Sequence, residues 1–467
     1  MINLLKKILP LKLIRSILPA YHFIIAWLAA CYYAFPSRRL IVIGVTGTTG
    51  KTSTVSLLAS ILNDNGYPAG YTSTAQFNDG RREWLNDKKM TMPGRFFLQK
   101  NLKRMLKNGC KVAIVETTSQ GIEQFRHRFI DYDILLFTNL YPEHIEAHGG
   151  YENYKQAKGK LFAHLKRCRF KYLNDDNRVV VNPTALQKTE FKKLKKRIIV
   201  NADDKQSVYF SSFWSEAKTA YSQAANLELN KNILSEIEPK VDVVAYEELF
   251  SGIDGSDFIF ANERYHLSIL GSYNIVNAVA ALSIARELDI DAKALAEALA
   301  KITVLPGKME KIEAGQDFHV LVDYAFEPKA LTALYENLEI FNYNRLIHVL
   351  GSTGGGRDQS RRPILGLLAG EKADFVIITN EDPYDEDPLL IIDQISVGAE
   401  KSAKKLGVNL WKEPDRRQAI IRALNLAQTG DLVLVTGKGA EQYICGPNNT
   451  KIDWDDRRVL KEELDKL

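Results

Sequence analysis

Residues 40–64 read LIVIGVTGTTGKTSTVSLLASILND, an apolar run, a loop of glycine and threonine, then a helical pattern opened by Lys51 and Thr52. A strand that passes through such a loop into a helix commits the chain to an α/β fold, with the strand buried in a parallel sheet. Glycines in the loop let backbone N–H groups approach phosphate oxygens, and the helix N-terminus adds its partial positive charge. Gly47, Thr48, Thr49, Gly50, Lys51, Thr52 and Ser53 are therefore candidate nucleotide-binding residues. Lys51 would reach the β and γ phosphates, and Thr52 would place a hydroxyl on Mg²⁺. The literal GxxxxGK[ST] spacing is not met. Val45 stands at its first glycine, and the glycines fall as GxxGxxGKT.

The alternation continues. KVAIVE (111–116) and DILLFTNL (133–140) are apolar runs that end in polar residues. Ligands of such sheets collect at the carboxyl ends of the strands. Polar and aromatic residues mix over 203–270, which reads as a small antiparallel β insertion. After Leu305-Pro306-Gly307 a second α/β pattern begins, with strands expected at 319–325, 345–352, 373–379 and 431–437. A chain of 467 residues exceeds one ordinary core. The expected division is a leader over 1–38, a central P-loop parallel-sheet domain over 39–305, and a smaller Rossmann-like α/β domain over 306–467. The net charge of +5 is mild for this length and gives no reason to expect nucleic acid. Cys31, Cys110, Cys168 and Cys445 are far apart, which excludes a zinc ribbon by spacing and suits a reducing compartment.

The leader is the odd segment. Residues 16–37 carry no Asp, Glu, Lys or Arg, and Lys6, Lys7, Lys12 and Arg15 precede them. Export would strand a nucleotide site away from its nucleotide. Two readings stay open: a spanning or interfacial membrane helix of near-bilayer length with basic flanks, and a helix packed on the domain, which Pro19 and His22 suit better.

Glu116 and His144 each follow an apolar strand, at the sheet edge where Lys51 is expected. A carboxylate and an imidazole there can hold Mg²⁺. Taken alone, His144 would read as a packed histidine and Lys158 as a solvated helix residue.

The loop, together with VETTSQGIEQFR (115–126), FTNLYPEHIEAHG (137–149), YKQAKGKLF (154–162), LGSYNIVNAVAA (270–281), LPGKMEKIE, VDYAFEP, GGGRDQSRRP, TNEDPYDEDP and TGKGAE, resembles the Mur ligase family in order and spacing from about residue 40 onward. These are ATP-dependent ligases that join amino acids to peptidoglycan precursors, and the branch resembled is the one that builds the tripeptide. The resemblance implies ATP and two Mg²⁺ ions, Thr52, Glu116, His144 and a carbamylated Lys158 as metal ligands, and catalysis by Lys51, Glu116, His144 and Lys158. It implies Asn274, Asn277 and Lys308 near the nucleotide and Asp323 near the ribose. Thr91, Thr118, Gln124 and Arg126 would grip the muropeptide acceptor. Arg357, Asp382, Tyr384, Gly437 and Glu441 would receive the amino acid, with Arg357 suited to its α-carboxylate and Glu441 to an amino group.

Departures from the pattern bear on substrate. Lys308 stands where the family has Arg and loses the bidentate fork. Phe326, Glu327, Ala440, Glu143 and Gln120 replace other familiar residues. Glu381-Asp382-Pro383-Tyr384 stands where diaminopimelate-adding relatives carry D-N-P-R, so an acidic and phenolic pocket suits a terminal ammonium, as in lysine. Arg361 or Arg362 nearby can substitute for the absent arginine. Where full-length relatives keep a UDP-binding domain, only the short leader precedes the loop. The expected activity is addition of a diamino acid, of diaminopimelate or lysine type, to UDP-MurNAc-L-Ala-D-Glu by a cytoplasmic monomer, with 16–37 docking it to the inner membrane face. A ligase acting on a lipid-linked muropeptide, folate or poly-amino-acid acceptor, and a non-catalytic membrane-docked nucleotide-binding partner in cell-wall assembly, are the alternatives.

Overall fold

The computed structural model describes residues 11–467 except 87, 89, 143–148, 182 and 357. Among them the chain groups into two compact units. One comprises the described residues up to 247 with 258–265 and 276–301, the other 248–257, 266–275 and 302–467.

The first unit begins with helix α1 (Leu11–Tyr32), which contains Pro19. Ala26, Ala29 and Ala30 are buried, and these small side chains let α1 lie against helix α3 (Arg95–Lys107). Rings complete the seam: Phe23 meets Phe129 at 5.1 Å between centroids, and Tyr32 meets Phe96 at 6.2 Å. Ile17, Ile24, Trp27 and Leu28 stay exposed. No helix among the described residues is long and apolar enough to cross a membrane, so the spanning reading of the leader falls. Lys12, Arg15 and Pro19 all fall within the sequence of α1.

Strand β1 (Ile41–Thr46) is wholly buried and leads through the glycine loop into α2 (Lys51–Asp64). Burying Ile41, Val42, Ile43 and Val45 contributes roughly 1.5–3 kcal/mol each, as an upper bound. Then come β2 (Ala69–Thr72), α3, β3 (Val112–Glu116), the short α4 (Ser119–Glu123), β4 (Ile134–Phe137) and α5 (Tyr151–Leu165). The sheet continues with β5 (Arg197–Asn201), β6 (Ala217–Gln223) and β7 (Val241–Gly252). Their order is β7–β6–β5–β4–β1–β3–β2, with every neighbouring pair parallel. The chain leaves β1 toward one edge and later returns to its other side. The loop after β1 therefore opens at the point where the strand order reverses, which is where open α/β sheets bind ligands.

The antiparallel reading of 203–270 is corrected over 217–246 by β6 and β7. Beyond β7 the strands Gly255–Phe260 and Glu263–Leu267 follow one another at the sheet edge through two-residue connections, as antiparallel hairpins do. Over 217–223 and 241–246 β6 and β7 extend the parallel sheet in register, Lys218 beside Val241 through Gln223 beside Tyr246. Their polar sequences, AKTAYSQ and VDVVAY, hide the continuous apolar run that marks a fully covered parallel strand, because β7 is mostly exposed or half-buried. Helix α6 (Tyr273–Arg286) follows.

The second unit is a parallel sheet of β8 (His319–Asp323), β9 (Leu346–Leu350), β10 (Phe375–Thr379), β11 (Leu410–Glu413) and β12 (Leu432–Thr436), ordered β8–β12–β9–β10–β11. Alternate residues feed two cores, one holding Leu321, Leu346, Leu350, Val376 and Leu434, the other Val320, Ile347, Val349, Ile377 and Val435. Both faces are thus covered, as side-chain alternation in a helix-flanked sheet requires.

Candidate functional site

Each unit gathers candidate residues at the carboxyl edge of its sheet. In the first, two loop glycines are required by close approach. A Cβ on Gly47 would lie 1.9 Å from Thr138 Oγ1, and one on Gly50, at φ +77°, would lie 2.3 Å from Asn277 Oδ1. Asn277 is thereby placed on the loop. Asn139, just beyond β4, accepts the Thr49 N–H at 2.9 Å through Oδ1, and its carbonyl accepts the Thr48 N–H at 2.9 Å. Thr138 Oγ1 donates to the Thr49 carbonyl at 2.8 Å. Lys51 Nζ folds back onto the Thr48 carbonyl at 2.7 Å. Ser53 is buried in the first turn of α2.

Glu116, fully buried at the end of β3, is the hub. Its Oε2 accepts from Thr52 Oγ1 at 3.0 Å and from the Thr74 N–H at 2.8 Å, and its Oε1 accepts from Thr74 Oγ1 at 2.9 Å. Thr74 Oγ1 lies 2.8 Å from Thr91 Oγ1. A hydrogen-bonded series thus runs Thr52–Glu116–Thr74–Thr91, from the glycine loop to a residue of the expected acceptor set. Hydroxyl and carboxylate oxygens at one helix start are the hard donors that fit Mg²⁺. Among the described residues no three His, Cys, Asp or Glu side chains gather as a metal cluster, and His144 lies outside those residues. Lys158, buried on α5, donates from Nζ to the Gly47 carbonyl at 2.7 Å, with the ammonium 4.6 Å from the centre of the Tyr154 ring.

The expected acceptor residues sit beside this series. Thr118 caps α4, its Oγ1 accepting the Gly121 N–H at 3.2 Å. Gln124 Oε1 accepts from Arg126 at 2.6 Å, and Arg126 also donates to the Met92 carbonyl. Burial, then the charge of Arg95, draws the Arg126 guanidinium down to about 10.

In the second unit, Asp382, Gly437 and Glu441 meet around Lys438. This fully buried ammonium donates to Asp382 Oδ1 at 2.9 Å, Glu441 Oε2 at 2.6 Å and the Tyr443 carbonyl at 2.7 Å. Its proton is held above the ordinary lysine range by Glu441 and Asp382, against the opposing effect of burial. Gly437 leaves room for Glu381, whose Oε2 would lie 2.5 Å from a Cβ there. Burial raises the Glu381 carboxyl, although Thr353 Oγ1 donates to its Oε1 at 2.6 Å. Tyr384, at φ +52°, donates its N–H to the Cys445 carbonyl at 3.0 Å. Arg357 lies outside the described residues. Arg361 is engaged by Glu327 at 3.0 Å and Arg362 by Glu386 at 2.8 Å.

Asp323, at the end of β8, accepts the N–H groups of Met309 at 2.8 Å and Ala325 at 2.7 Å, so it anchors the 305–311 segment to the sheet. Lys308 on that segment stacks 4.9 Å over Tyr324. Asn274 is buried with its Nδ2 on the Leu270 carbonyl at 2.7 Å. Thr74, Asn139 and Lys438 were not singled out from sequence. Asn139 and Lys438 sit inside quoted motifs, FTNL and TGKGAE, and so had a signal. Thr74 is a lone threonine in a polar loop and had none.

Residues 45–285 match the profile of the Mur ligase middle domain, and 307–439 that of the Mur ligase, glutamate ligase domain. The UDP-N-acetylmuramyl-tripeptide synthetase of Roseiflexus sp. (strain RS-1) is 35% identical over 448 residues, covering 94% of this chain and 82% of the relative. The UDP-N-acetylmuramoyl-L-alanyl-D-glutamate–2,6-diaminopimelate ligase of Syntrophomonas wolfei is 32% identical, covering 94% and 81%. A solved structure of a diaminopimelate ligase of that name aligns at 25% identity and TM-score 0.54 over 91% of this chain and 78% of its own. Folylpolyglutamate synthase of Mycobacterium tuberculosis, complexed with ADP, shares the fold at 16% identity and TM-score 0.61 over 88% and 91%.

Proposed function

The chain belongs to the Mur ligase family, and from that premise we propose that it is an ATP-dependent ligase joining a diamino acid to UDP-MurNAc-L-Ala-D-Glu. The observation that carries the reading is the series Thr52–Glu116–Thr74–Thr91, which ties the nucleotide loop to the acceptor loop within one unit. The names of the relatives, tripeptide synthetases and diaminopimelate ligases, support the same acceptor.

In this reading the acceptor carboxylate attacks the γ-phosphorus of ATP, ADP leaves, and an acyl phosphate forms. The amino group then attacks the acyl carbon and phosphate departs. Such transfers depend on positioning and charge neutralisation. Lys51, released from the Thr48 carbonyl, supplies the charge for the phosphates. Gly47–Ser53 and Asn277 seat the nucleotide, with Asn274, Lys308 and Asp323 assigned to its adenine and ribose end. Bound Mg²⁺ would neutralise phosphate charge, and Thr52, Glu116 and His144 are the residues to hold it. Lys158 is the proposed carbamylation site, which would turn a buried cation into a further oxygen ligand. Thr91, Thr118, Gln124 and Arg126 orient the acceptor. Arg357, Asp382, Tyr384, Gly437 and Glu441 receive the amino acid, and the acidic stretch at 381–382 favours a side chain ending in an ammonium.

The test is phosphate release from ATP by purified protein given the muropeptide acceptor and a panel of amino acids. Release that depends on both, and that is lost in Lys51→Ala, is the expected result. No release in any combination would end the ligase reading.

A second reading concerns place. The exposed Ile17, Ile24, Trp27 and Leu28 lie on α1, within a stretch of 63 residues that has no acid and carries Lys6, Lys7, Lys12 and Arg15. Apolar area beside positive charge is the composition of a helix lying in an anionic lipid interface. An ATP-consuming enzyme would dock there from the cytoplasmic side. Binding to phosphatidylglycerol vesicles that disappears in Trp27→Glu is expected, and equal binding to neutral vesicles would contradict it.

A further inference from the structure

Residues 1–63 and 88–115 contain no Asp or Glu, and the fold packs these two stretches together as α1 against α3. The exposed positions of α3 are Phe96, Lys100, Lys103 and Lys107, a spacing that sets them in one stripe along the helix. Arg104 lies half-buried beside it. Tyr32 and Phe96 touch at 6.2 Å between centroids while both stay exposed. Their contact joins the basic stripe to the face of α1 that exposes Trp27, Leu28 and Tyr32.

The stripe ends in a pocket, about 16 Å from Phe96 at the helical rise of 1.5 Å per residue. There the hairpin of Gln76–Asn78 and Glu83–Leu85 leans on the end of α3, and a Cβ on Gly80 would lie 2.3 Å from Cys110 Sγ. Arg81 and Arg82 of the hairpin turn, with Arg104 and Lys107 of α3, line a cavity of 380 Å³ together with Asp79 and Asn108. Four cations thus face one carboxylate, and that carboxylate is occupied with the turn. Asp79 Oδ1 accepts the N–H groups of Arg81 and Arg82 at 3.2 Å each, and its carbonyl accepts from Asn108 Nδ2 at 2.9 Å. None of the four cations forms an ion pair among the described residues. Lysines on other helices do: Lys155 and Lys231 each hold the glutamate three residues earlier at 2.8 Å. The helix dipole favours cations in a last turn, which accounts for Arg104 and Lys107. It does not account for Lys100 and Lys103, nor for two arginines brought up by another element.

We propose that this face docks the protein on an anionic membrane surface, with Arg81, Arg82, Arg104 and Lys107 holding the phosphate of a lipid headgroup.

The pocket rests on the membrane reading of α1 above and adds to it what grips the polar layer. Apolar side chains continuous with a basic stripe select lipid over nucleic acid, since a bilayer offers acyl chains and phosphates side by side. Tyr32 at the junction suits the boundary between those layers. Guanidinium forks match phosphate oxygens in geometry. The pocket adjoins Asn108, ahead of β3, whereas Glu116 ends that strand about 16 Å further on. It is therefore separate from the nucleotide edge of the sheet.

The test is co-sedimentation of the full chain with vesicles of phosphatidylglycerol in phosphatidylcholine, at fixed salt. The triple variant Arg81→Gln, Arg104→Gln, Lys107→Gln, checked for an unchanged melting temperature, should bind about a hundredfold more weakly, at about fivefold per charge. Arg81→Gln alone, at the exposed turn, should lose about fivefold. A control triple of exposed lysines elsewhere in the first unit, Lys205→Gln, Lys240→Gln, Lys293→Gln, should lose less than threefold. Equal losses in the two triples would overturn the pocket and leave only net charge. Full binding by the pocket triple, with binding abolished in Trp27→Glu, would overturn the pocket and keep the reading of α1. The reverse pattern would keep the pocket and remove the apolar face of α1. A wild type that binds no vesicles would end both. Binding to a DNA duplex that needs Arg81, beside vesicle binding that does not, would overturn the lipid site in favour of nucleic acid.

Discussion

Thr52 Oγ1 donates to Glu116 Oε2 at 3.0 Å, joining the first turn of α2 to the end of β3. That one carboxylate also accepts from both the N–H and the hydroxyl of Thr74, so three donors converge on it. Glu116→Gln replaces one acceptor oxygen with an NH₂ group facing donors, at nearly constant volume. The expected outcome is a folded protein whose amino-acid-dependent phosphate release falls by about two orders of magnitude. Raising Mg²⁺ should recover little of it, because the geometry of the donor set is changed and not only its charge. Release within threefold of the wild type would remove Glu116 from the centre of the site.

Gly50 makes a sharper test of the nucleotide loop. An alanine there takes a left-handed backbone that costs an L-residue about 1–2 kcal/mol, and its Cβ would strike Asn277 Oδ1. Gly66→Ala supplies the control, since φ there is +73° but nothing lies within 4 Å of the added carbon. Both variants should lose similar stability to denaturant. Only Gly50→Ala should also lose nucleotide affinity, by tenfold or more in fluorescent-ADP titration.

Beneath the loop, Asp133 is fully buried and holds two buried ammonium groups, Lys171 Nζ at 2.6 Å and Lys196 Nζ at 2.8 Å, as well as the Val42 N–H at 2.8 Å. Burial lowers the proton affinity of Lys171, and Asp133 opposes that shift. Removing the anion strands two cations in the core under β1. Asp133→Asn should cost about 3–5 kcal/mol in urea unfolding. Asp133→Asn combined with Lys171→Met should recover part of that loss, which a purely steric defect would not.

The frame of both sheets was legible because it is written in backbone terms: apolar runs for β1, β3, β4, β8, β9, β10 and β12, and glycines where the chain must approach itself, whereas the edge strand β11, LWKE, carries no such run. The run at 217–246 was misread since parallel strands near a sheet edge can carry Lys, Asp and Ser. Contacts made by isolated residues were less visible. Thr74 has no motif to announce it, and it meets Glu116 only because the fold brings together positions 42 residues apart in the chain. Spacing can identify a loop whose conformation is local. It cannot identify a side chain such as Thr74, whose partner is brought to it only by the pairing of distant segments.

His348 gives the second unit a dependence on pH. The ring sits at the centre of the sheet with Nδ1 on the Tyr335 hydroxyl at 2.7 Å and Nε2 on Thr436 Oγ1 at 2.9 Å. Burial, and then the charge of Arg416, lowers its pKa from 6.5 to about 3. The unfolded chain takes up a proton below about pH 6.5 that the folded chain refuses until about pH 3. Stability contributed by the neutral ring is therefore full above 6.5 and declines as pH falls through that window. At pH 5 the linkage amounts to about 2 kcal/mol. Trp411 and Trp454 lie in this unit and report on its unfolding. Between pH 7.5 and pH 5 the wild type should lose about 2 kcal/mol more than His348→Gln, whose amide keeps a donor and an acceptor but takes up no proton. Equal losses in the two proteins would overturn the assignment of this acid sensitivity to His348.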